Sequence, residues 1–369
     1  MTEISNKISD QKGAKKHMIL KIVSAIILIL LIAFSAGAYN MISNNLYYHE
    51  RDMQKVWDAG FQEKQFKTGD TVLNYAEGPS NGPVLFLIHG QTTDWENYAP
   101  VLPKLSKKFH IYAVDCHGHG KSSKNPEKYN IEAMSDDFHA FITQVIKEPV
   151  IVSGHSSGGF LAAYMAANFP DAIRGVVLED PPMFSTEFPR WKNHFTYHDL
   201  GITSHNFLLQ SSEKSYVRYY MKNCFWMQLF VPEKGRKAIT DYALSYNDRH
   251  PDSPIKIFFF PPVTAEGFRA INTYDPRFGE TFYTRSWFKG INYDELLKKI
   301  SCPSVLIHTS WQYKDGYLLG AMDEKDAERA HRDIKNNKLI NVVSGHGFHF
   351  EKPDDYIQIV LDLNKSVTG

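Results

Sequence analysis

The sequence predicts an α/β fold in which a mostly parallel sheet is covered by helices on both faces and carries a mainly helical insertion. From residue 84 onward, short apolar strands rich in β-branched residues alternate with longer helical stretches, a pattern typical of buried parallel strands joined by helices. One interval of about 120 residues, between Asp180 and Ser304, breaks this alternation and is too long for an unstructured loop.

The predicted elements follow the chain in a regular order. An antiparallel hairpin at one edge of the sheet is expected at residues 61–66 and 71–76, because a Thr-Gly-Asp turn separates the two segments. The later strands are expected at residues 84–88, 111–114, 150–153, 175–178, 304–308 and 339–343. The helices are expected at residues 40–60, 95–107, 131–146, 157–169, 324–334 and 354–365.

The chain is long enough for about two folding units. We assign residues 1–40 to a tail and an apolar segment, residues 41–180 and 301–369 to the core, and residues 181–300 to a helical cap. The cap is rich in Phe, Tyr, Trp, His and Met. These side chains are expected to form the cap's own core, and some of them to line an apolar pocket above the sheet.

The N-terminal segment differs from the rest of the chain. Residues 22–39 contain no charged side chain, and a helix of that length reaches about 27 Å, near the thickness of a bilayer's hydrocarbon core. Basic residues between Lys12 and His17 precede it, which favours a single-pass anchor in the cell membrane with a cytoplasmic N-terminus and an external catalytic domain. The alternative is a signal peptide cleaved near Ala38, after the sequence Ala-Gly-Ala, which would leave a secreted protein.

The composition indicates neither a nucleic-acid partner nor a disulfide framework. Lys and Arg together number 41, and so do Asp and Glu, so no basic excess favours nucleic acid. The three cysteines, Cys116, Cys224 and Cys302, are far apart in the chain. Their number and spacing indicate buried thiols rather than a disulfide framework or a metal site. The sequence gives no indication of the oligomeric state.

A strand, a sharp turn and a helix are predicted to meet at Gly-His-Ser-Ser-Gly, with Ser156 at the apex and Gly154 and Gly158 on either side. A strand that reverses directly into a helix strains its apex residue and crowds the neighbouring positions, which favours glycine there. The turn also holds the Ser156 hydroxyl at a helix N-terminus, where backbone N–H groups stabilise negative charge. Because the pattern matches the G-x-S-x-G nucleophile elbow, we predict that Ser156 is a catalytic nucleophile.

A serine nucleophile needs a base, and the end of the last predicted strand supplies a candidate. His346 follows Gly345 just after that strand and precedes the final helix. We therefore predict that His346 is the base. His349, three residues later, is predicted to be a structural or pocket residue.

The first long strand ends in His89-Gly90-Gln91, which predicts a tight turn beside the elbow. Such a turn brings backbone N–H groups close to the serine. We predict that the N–H groups of Gln91 and Ser157 bind the oxyanion of a tetrahedral intermediate.

Taken together, these motifs resemble the α/β-hydrolase superfamily. The features that carry the resemblance are, in the family's order, His89-Gly90, residues 115–122, the Gly-His-Ser-Ser-Gly elbow, Asp180-Pro181-Pro182 and Gly345-His346. The resemblance covers roughly residues 61–180 and 301–365, with the cap where the family inserts one. It implies an eight-stranded sheet, a Ser–His–acid triad in this chain order, and neither a metal nor an organic cofactor.

The acid of the triad is the point at which this sequence departs from the family pattern. The family's acid usually follows the strand predicted at residues 304–308, and here the segment after that strand is longer than usual. Asp315 lies in a stretch that resembles the family's turn and is our first choice. Asp323, which also suits the N-cap of the next helix, is the second choice, and Asp180, after the preceding strand, is the third.

These residues favour a serine hydrolase of the carboxylesterase type that acts on a small, apolar acyl substrate through an acyl-enzyme intermediate. The same triad also serves amide, lactone, thioester and carbon–carbon bond cleavage, so the bond that is cleaved stays open. The alternative is a membrane-tethered binding or sensor protein that keeps the fold with little turnover.

Overall fold

A computed structural model of the chain describes the backbone of residues 2–368 and the side chains of residues 15–18 and 20–367. Lys12 of the basic N-terminal segment lies outside the described side chains. The strands are β1 (Gln62–Thr68), β2 (Thr71–Glu77), β3 (Val84–Ile88), β4 (His110–Val114), β5 (Val150–His155), β6 (Ile173–Glu179), β7 (Ser304–His308), β8 (Tyr313–Lys314), β9 (Tyr317–Leu318) and β10 (Asn337–Asn341). The helices are α1 (Thr2–Asp58), α2 (Leu102–Leu105), α3 (Ile131–Phe141), α4 (Ser157–Asn168), α5 (Thr203–Leu209), α6 (Tyr216–Asn223), α7 (Phe225–Phe230), α8 (Glu233–Arg249), α9 (Pro262–Arg269), α10 (Pro276–Thr284), α11 (Tyr293–Lys298), α12 (Glu324–Asp333), α13 (Phe348–Glu351) and α14 (Pro353–Thr368).

Eight of these strands form one sheet in the order β1-β2-β4-β3-β5-β6-β7-β10. β2 is antiparallel to both of its neighbours, β1 and β4, and all other neighbouring pairs in this sheet are parallel. β8 and β9 form a separate antiparallel hairpin. The mostly parallel, eight-stranded sheet with an antiparallel edge is therefore confirmed.

Helices cover both faces of this sheet because its central strands are apolar on both sides. Strand β3 is buried along its whole length. Phe86 points to one face, where its ring lies 5.7 Å from the ring of Phe138 on α3. Leu85 and Leu87 point to the other face and belong to the apolar cluster that contains Tyr356 of α14. Alternate residues of one strand thus support two helical layers.

Most elements differ from their predicted bounds at one or both ends, and two of the differences have a clear cause. The helix expected at residues 95–107 is broken into a short 3-10 turn and α2, because Pro100 has no backbone N–H with which to continue the first turn. The last strand of the sheet begins and ends two residues earlier than the predicted 339–343. The apolar side chain of Val343 favoured a strand there, yet it is 91% exposed beyond the end of β10.

The segment between β6 and β7 is folded into helices α5 to α11, in agreement with the expected helical insertion. We keep the name cap for residues 181–300. The cap lies over the carboxyl ends of the sheet strands. Asp275 donates its backbone N–H to Gly118 O (2.8 Å), in the loop after β4, and the Tyr274 hydroxyl donates to Gln91 Oε1 (3.0 Å), in the loop after β3.

The N-terminal helix α1 has two parts with different surroundings. From Lys15 onward it is long and apolar enough to cross a membrane, and its most apolar stretch is entirely exposed. The backbone departs from helical geometry at Tyr47. The part that follows packs on the folded body, where Val56 is fully buried and the Trp57 ring lies 5.6 Å from that of Trp95.

A buried ion cluster joins the cap to the core. Arg269 of α9 is 5% exposed and contacts Asp94, which follows β3, through two nitrogens at 2.9 and 2.5 Å. Its Nε donates to Glu266 at 3.0 Å, and the Tyr48 hydroxyl of α1 donates to the same carboxylate at 2.8 Å. Burial alone disfavours the charged guanidinium, but the carboxylates of Asp94 and Glu266 raise the pKa of Arg269 well above its usual value.

We expect Arg269→Met to lower the free energy of unfolding by about 3–5 kcal/mol, because two buried carboxylates would lose their counter-ion. Lys237→Met is the control, since this exposed lysine pairs with Asp241 on the surface of α8. Its loss should change stability by less than about 1 kcal/mol. Urea unfolding of both full-length variants measures the difference. Equal stabilities of the two variants would contradict the importance of the buried cluster.

Candidate active site

Ser156 lies at the apex of the predicted elbow, between the end of β5 and the start of α4. Its backbone has φ 55° and ψ −120°, a conformation that residues other than glycine rarely adopt. The chain is crowded on both sides of this residue. A Cβ on Gly154 would lie 2.1 Å from the carbonyl oxygen of Gly158, and a Cβ on Gly158 would lie 2.3 Å from that of Ile88. Both glycines are therefore required by the close approach of backbone to backbone.

The elbow is held to the neighbouring strand β6. The backbone N–H of Ser156 donates to the carbonyl oxygen of Glu179 at 2.8 Å. Ser156 is 8% exposed, and the first N–H groups of α4 begin at the next residue. Because the first N–H groups of a helix have no partner within that helix, this end of α4 favours negative charge beside the serine.

The turn after β3 lies against the elbow, as its Gly90 shows. A Cβ on Gly90 would lie 3.1 Å from the Cβ of Ser156. Gln91 follows, and its side-chain Nε2 donates to the hydroxyl of Ser157 at 3.3 Å. The structure thus brings together the two residues, Gln91 and Ser157, whose backbone N–H groups were predicted to bind an oxyanion.

The buried imidazole of His89 holds this turn in place through two contacts with the backbone. Its Nδ1 lies 2.6 Å from the carbonyl oxygen of Gly90, and its Nε2 lies 2.9 Å from the backbone nitrogen of Cys116. These contacts require a proton on Nδ1 and a free lone pair on Nε2, which is the neutral imidazole. Burial lowers the pKa of His89 to about 4, in agreement with a neutral ring.

The imidazole of His346 pairs with Asp180. The distance between His346 Nδ1 and Asp180 Oδ2 is 2.6 Å, and the histidine side chain is 30% exposed whereas the aspartate is buried. Thr309, just after β7, holds the same carboxylate with its hydroxyl at 2.6 Å. The backbone N–H of Asp180 also donates to the carbonyl oxygen of Ile307 at 2.9 Å. A carboxylate held in this way fixes both the tautomer and the direction of the ring.

Asp315, our first choice for the partner of His346, is not the residue that occupies this position. It lies at the exposed turn of the β8–β9 hairpin, where it has φ 50° and Gly316 has φ 84°. These angles fit an Asp-Gly hairpin turn, which explains the motif. Asp323, the second choice, is the N-cap of α12, with a capping box and an ion pair to Arg190. The structure therefore gives His346 the third choice, Asp180.

His155 connects the elbow to the loop that carries His346. The two imidazole rings have centroids 4.6 Å apart, and His155 Nε2 lies 3.0 Å from the backbone carbonyl oxygen of His346. Burial, together with the neighbouring His346 and His349 rings, lowers the pKa of His155 well below its usual value. The ring is thus neutral and donates Nε2–H to that carbonyl. The residue before the serine in this way fixes the backbone of the predicted base.

His349 is buried and makes structural contacts, as one of the two predicted roles requires. Its Nδ1 lies 2.8 Å from Glu179 Oε1, and its backbone N–H donates to the same oxygen at 2.9 Å. On its other side, Nε2 lies 2.8 Å from Asn97 Oδ1. Asn97 in turn donates to Glu266 of the cap at 2.9 Å. The loop after β10 is thus tied to both the sheet and the cap.

Aromatic side chains of the cap lie beside His346. The Phe195 ring stands edge-on to the imidazole with a centroid distance of 6.0 Å. The centroid of the Trp226 ring lies 5.0 Å from that of Phe195. One side of the space near His346 is therefore apolar.

Comparison with known proteins identifies the fold. A family model for the alpha/beta hydrolase fold matches residues 83–202, which include β3, the elbow and Asp180. The chain has the α/β-hydrolase fold. This fold extends well beyond the matched residues. The crystal structure of a membrane phospholipase A, a bacterial virulence factor, aligns with 93% of this chain and 98% of its own length, with a TM-score of 0.59 and 19% identity.

Two curated relatives of this α/β-hydrolase chain differ in extent. The 2-(acetamidomethylene)succinate hydrolase of Mesorhizobium japonicum is 34% identical over 128 residues, which are 34% of this chain and 46% of that protein. The AB hydrolase superfamily protein YfhM of Bacillus subtilis is 24% identical over 305 residues, which are 81% of this chain and 96% of that protein. The chain thus spans less than half the length of the first relative and almost all of the second.

We expect Gly158→Ala to destabilise the protein by about 1–3 kcal/mol or more, because its Cβ would overlap the backbone carbonyl of Ile88. Gly267→Ala is the matched control, since a Cβ at this position in α9 has nothing within 4 Å. That change should leave stability equal or raise it by up to about 1 kcal/mol. Urea unfolding of the two variants gives both values. A Gly158→Ala protein as stable as the wild type would rule out the crowded elbow.

Proposed function

We propose that the protein is a serine hydrolase that acts on an ester-like carbonyl substrate through an acyl-enzyme intermediate. One observation carries the proposal: a serine in a strained elbow at a helix N-terminus shares the carboxyl edge of the sheet with a histidine that pairs with a buried carboxylate. The hydrolases among its relatives support hydrolysis in general, and their different names leave the substrate open.

In the proposed reaction, Ser156 Oγ attacks the substrate carbonyl and its proton passes to His346 Nε2. This nitrogen has a free lone pair because Nδ1–H is directed to Asp180. The carbonyl oxygen becomes an oxyanion, which the backbone N–H groups of Gln91 and Ser157 stabilise. The imidazolium then gives its proton to the departing alkoxide, and the acyl group remains on the serine.

A water molecule then hydrolyses the acyl-enzyme, again with His346 as the base. His346 takes a proton from a water molecule as the water attacks the acyl carbonyl, and a second tetrahedral intermediate forms. This intermediate collapses when the bond to Ser156 Oγ breaks, and the proton returns to the serine. The products are a carboxylic acid and the regenerated enzyme.

The substrate that we propose is a small molecule with an apolar acyl group. The support is the aromatic surface that Phe195 and Trp226 form beside the imidazole. Apolar walls with a few directed polar groups are typical of small-molecule sites.

We further propose that α1 anchors the protein in the cell membrane, with the N-terminus in the cytoplasm and the hydrolase domain outside. The support is the exposed apolar stretch of α1 and the basic residues Lys15 and Lys16 that precede it. Cleavage near Ala38 is the competing outcome, and N-terminal sequencing of the mature protein distinguishes the two.

A fluorophosphonate probe tests the nucleophile. We expect the probe to label the wild type and to leave Ser156→Ala unlabelled, because the probe traps an activated serine. Ser286→Ala, at an exposed serine of the cap, is the control and should label like the wild type. A wild type that folds and floats with membranes but stays unlabelled would contradict the proposal and favour a binding or sensor protein.

A matched pair of substitutions tests the acid. We expect Asp180→Asn to lower kcat/KM for p-nitrophenyl esters by about 10³–10⁴-fold, because the amide favours the wrong imidazole tautomer. Asp315→Asn removes the same charge from the exposed hairpin turn and should keep kcat/KM near that of the wild type. A large loss in Asp315→Asn with a small loss in Asp180→Asn would reverse the assignment.

A further inference from the structure

An exposed aromatic loop stands out on the cap. Phe258 and Phe259 are 38% and 41% exposed and follow each other in the chain, and Val263 at the start of α9 is 49% exposed. We call residues 258–260 the aromatic loop. Single exposed apolar side chains are ordinary on protein surfaces, but neighbouring ones mark contact with an apolar partner.

The aromatic loop is held against α1. The side-chain amide of Asn45 donates to the carbonyl oxygen of Phe258 at 2.8 Å, and Asn45 is itself buried by this packing. Lys256, just before the loop, forms an ion pair with Glu50 and lies 4.9 Å above the ring of Tyr47. The loop therefore has a defined position along α1.

That position lies close to the apolar stretch of the helix. The apolar stretch ends at Tyr39, just before Asn40, and Asn45 follows Tyr39 by six residues, which corresponds to about 9 Å along a helix. The interfacial layer of a bilayer is about 5–8 Å deep on each side of its hydrocarbon core. If the apolar stretch spans the membrane, the backbone of Phe258 thus lies near the boundary between lipid and water.

The residues at this level have the composition of a membrane interface. Tyr39 and Tyr47 of α1 are 72% and 50% exposed and flank the height at which Asn45 holds the loop. Aromatic rings are enriched where the headgroups meet the acyl chains.

We propose that the aromatic loop of the cap inserts into the lipid surface beside α1. The proposal rests on the membrane anchor proposed above and adds a second contact, which the cap itself makes with the lipid headgroups. Two contacts fix the rotation of the hydrolase domain about the axis of α1, which a single helix leaves free. The cap then meets amphiphilic substrates at the bilayer surface.

The test uses the full-length protein in phosphatidylcholine vesicles, labelled with the fluorophore NBD at one introduced cysteine. Cys302→Ser serves as the background, because Cys302 is half-buried whereas Cys116 and Cys224 are buried. One label is placed with Phe259→Cys and the control label with Lys335→Cys, an exposed position at the amino end of β10 and away from the cap.

Vesicle flotation first reports whether the labelled protein is in the membrane. We then expect NBD at position 259, but not at position 335, to show blue-shifted emission, several-fold weaker quenching by iodide and strong quenching by spin-labelled lipid. Iodide quenching equal at the two positions in floated protein would overturn the lipid contact and leave the anchor standing. Protection from iodide without lipid quenching would indicate a protein partner such as a second copy of the chain, and would also overturn it. Failure to float would remove both the anchor and this inference.

Discussion

The carboxyl end of β6 carries two successive acidic residues on which the geometry of the site depends. The backbone of Glu179 accepts the N–H of Ser156, and its carboxylate holds His349. The next residue, Asp180, turns away with φ 45° and holds His346. One strand end thus positions the serine and the loop after β10 together. The distances between them are set by the sheet, which is rigid, rather than by the loops alone.

A series of polar contacts connects the loop after β10 to the cap and to α1. His349 contacts Asn97, Asn97 contacts Glu266 of the cap, and Glu266 accepts the Tyr48 hydroxyl of α1. The side chains of His349, Asn97 and Glu266 are buried and each has hydrogen-bond partners, which is the condition under which burial of polar groups is tolerated. The cap and the end of α1 are therefore parts of one packed body with the site. Movement of the cap as a separate lid would break several of these bonds at once.

Much of the fold could be predicted because local pattern and tertiary burial agree in it. Strands β3 and β7 have the predicted ends, since a buried parallel strand is a continuous apolar run. The elbow could also be predicted, because the crowded backbone on either side of Ser156 requires glycine there. The carboxylate that pairs with His346 could not be predicted, because the ends of β6 and β7 are adjacent in space and a residue after either strand can reach the imidazole. A signal was present: the residue after β7 is Thr309, which has no carboxylate, whereas β6 is followed directly by Asp180.

Because Asp180 rather than Asp315 contacts His346, the β8–β9 hairpin is not part of the histidine's surroundings. The hairpin packs on the cap, where the ring of Tyr317 lies 4.5 Å from His198 and 5.3 Å from Phe225. It carries Asp315 away from the imidazole, and Thr309 rather than the hairpin supports the carboxylate. The pairing of His346 with Asp180 and the hairpin beside the cap are thus built from separate segments. A change in the length of the hairpin would alter the surface beside the cap and leave the contact between His346 and Asp180 in place.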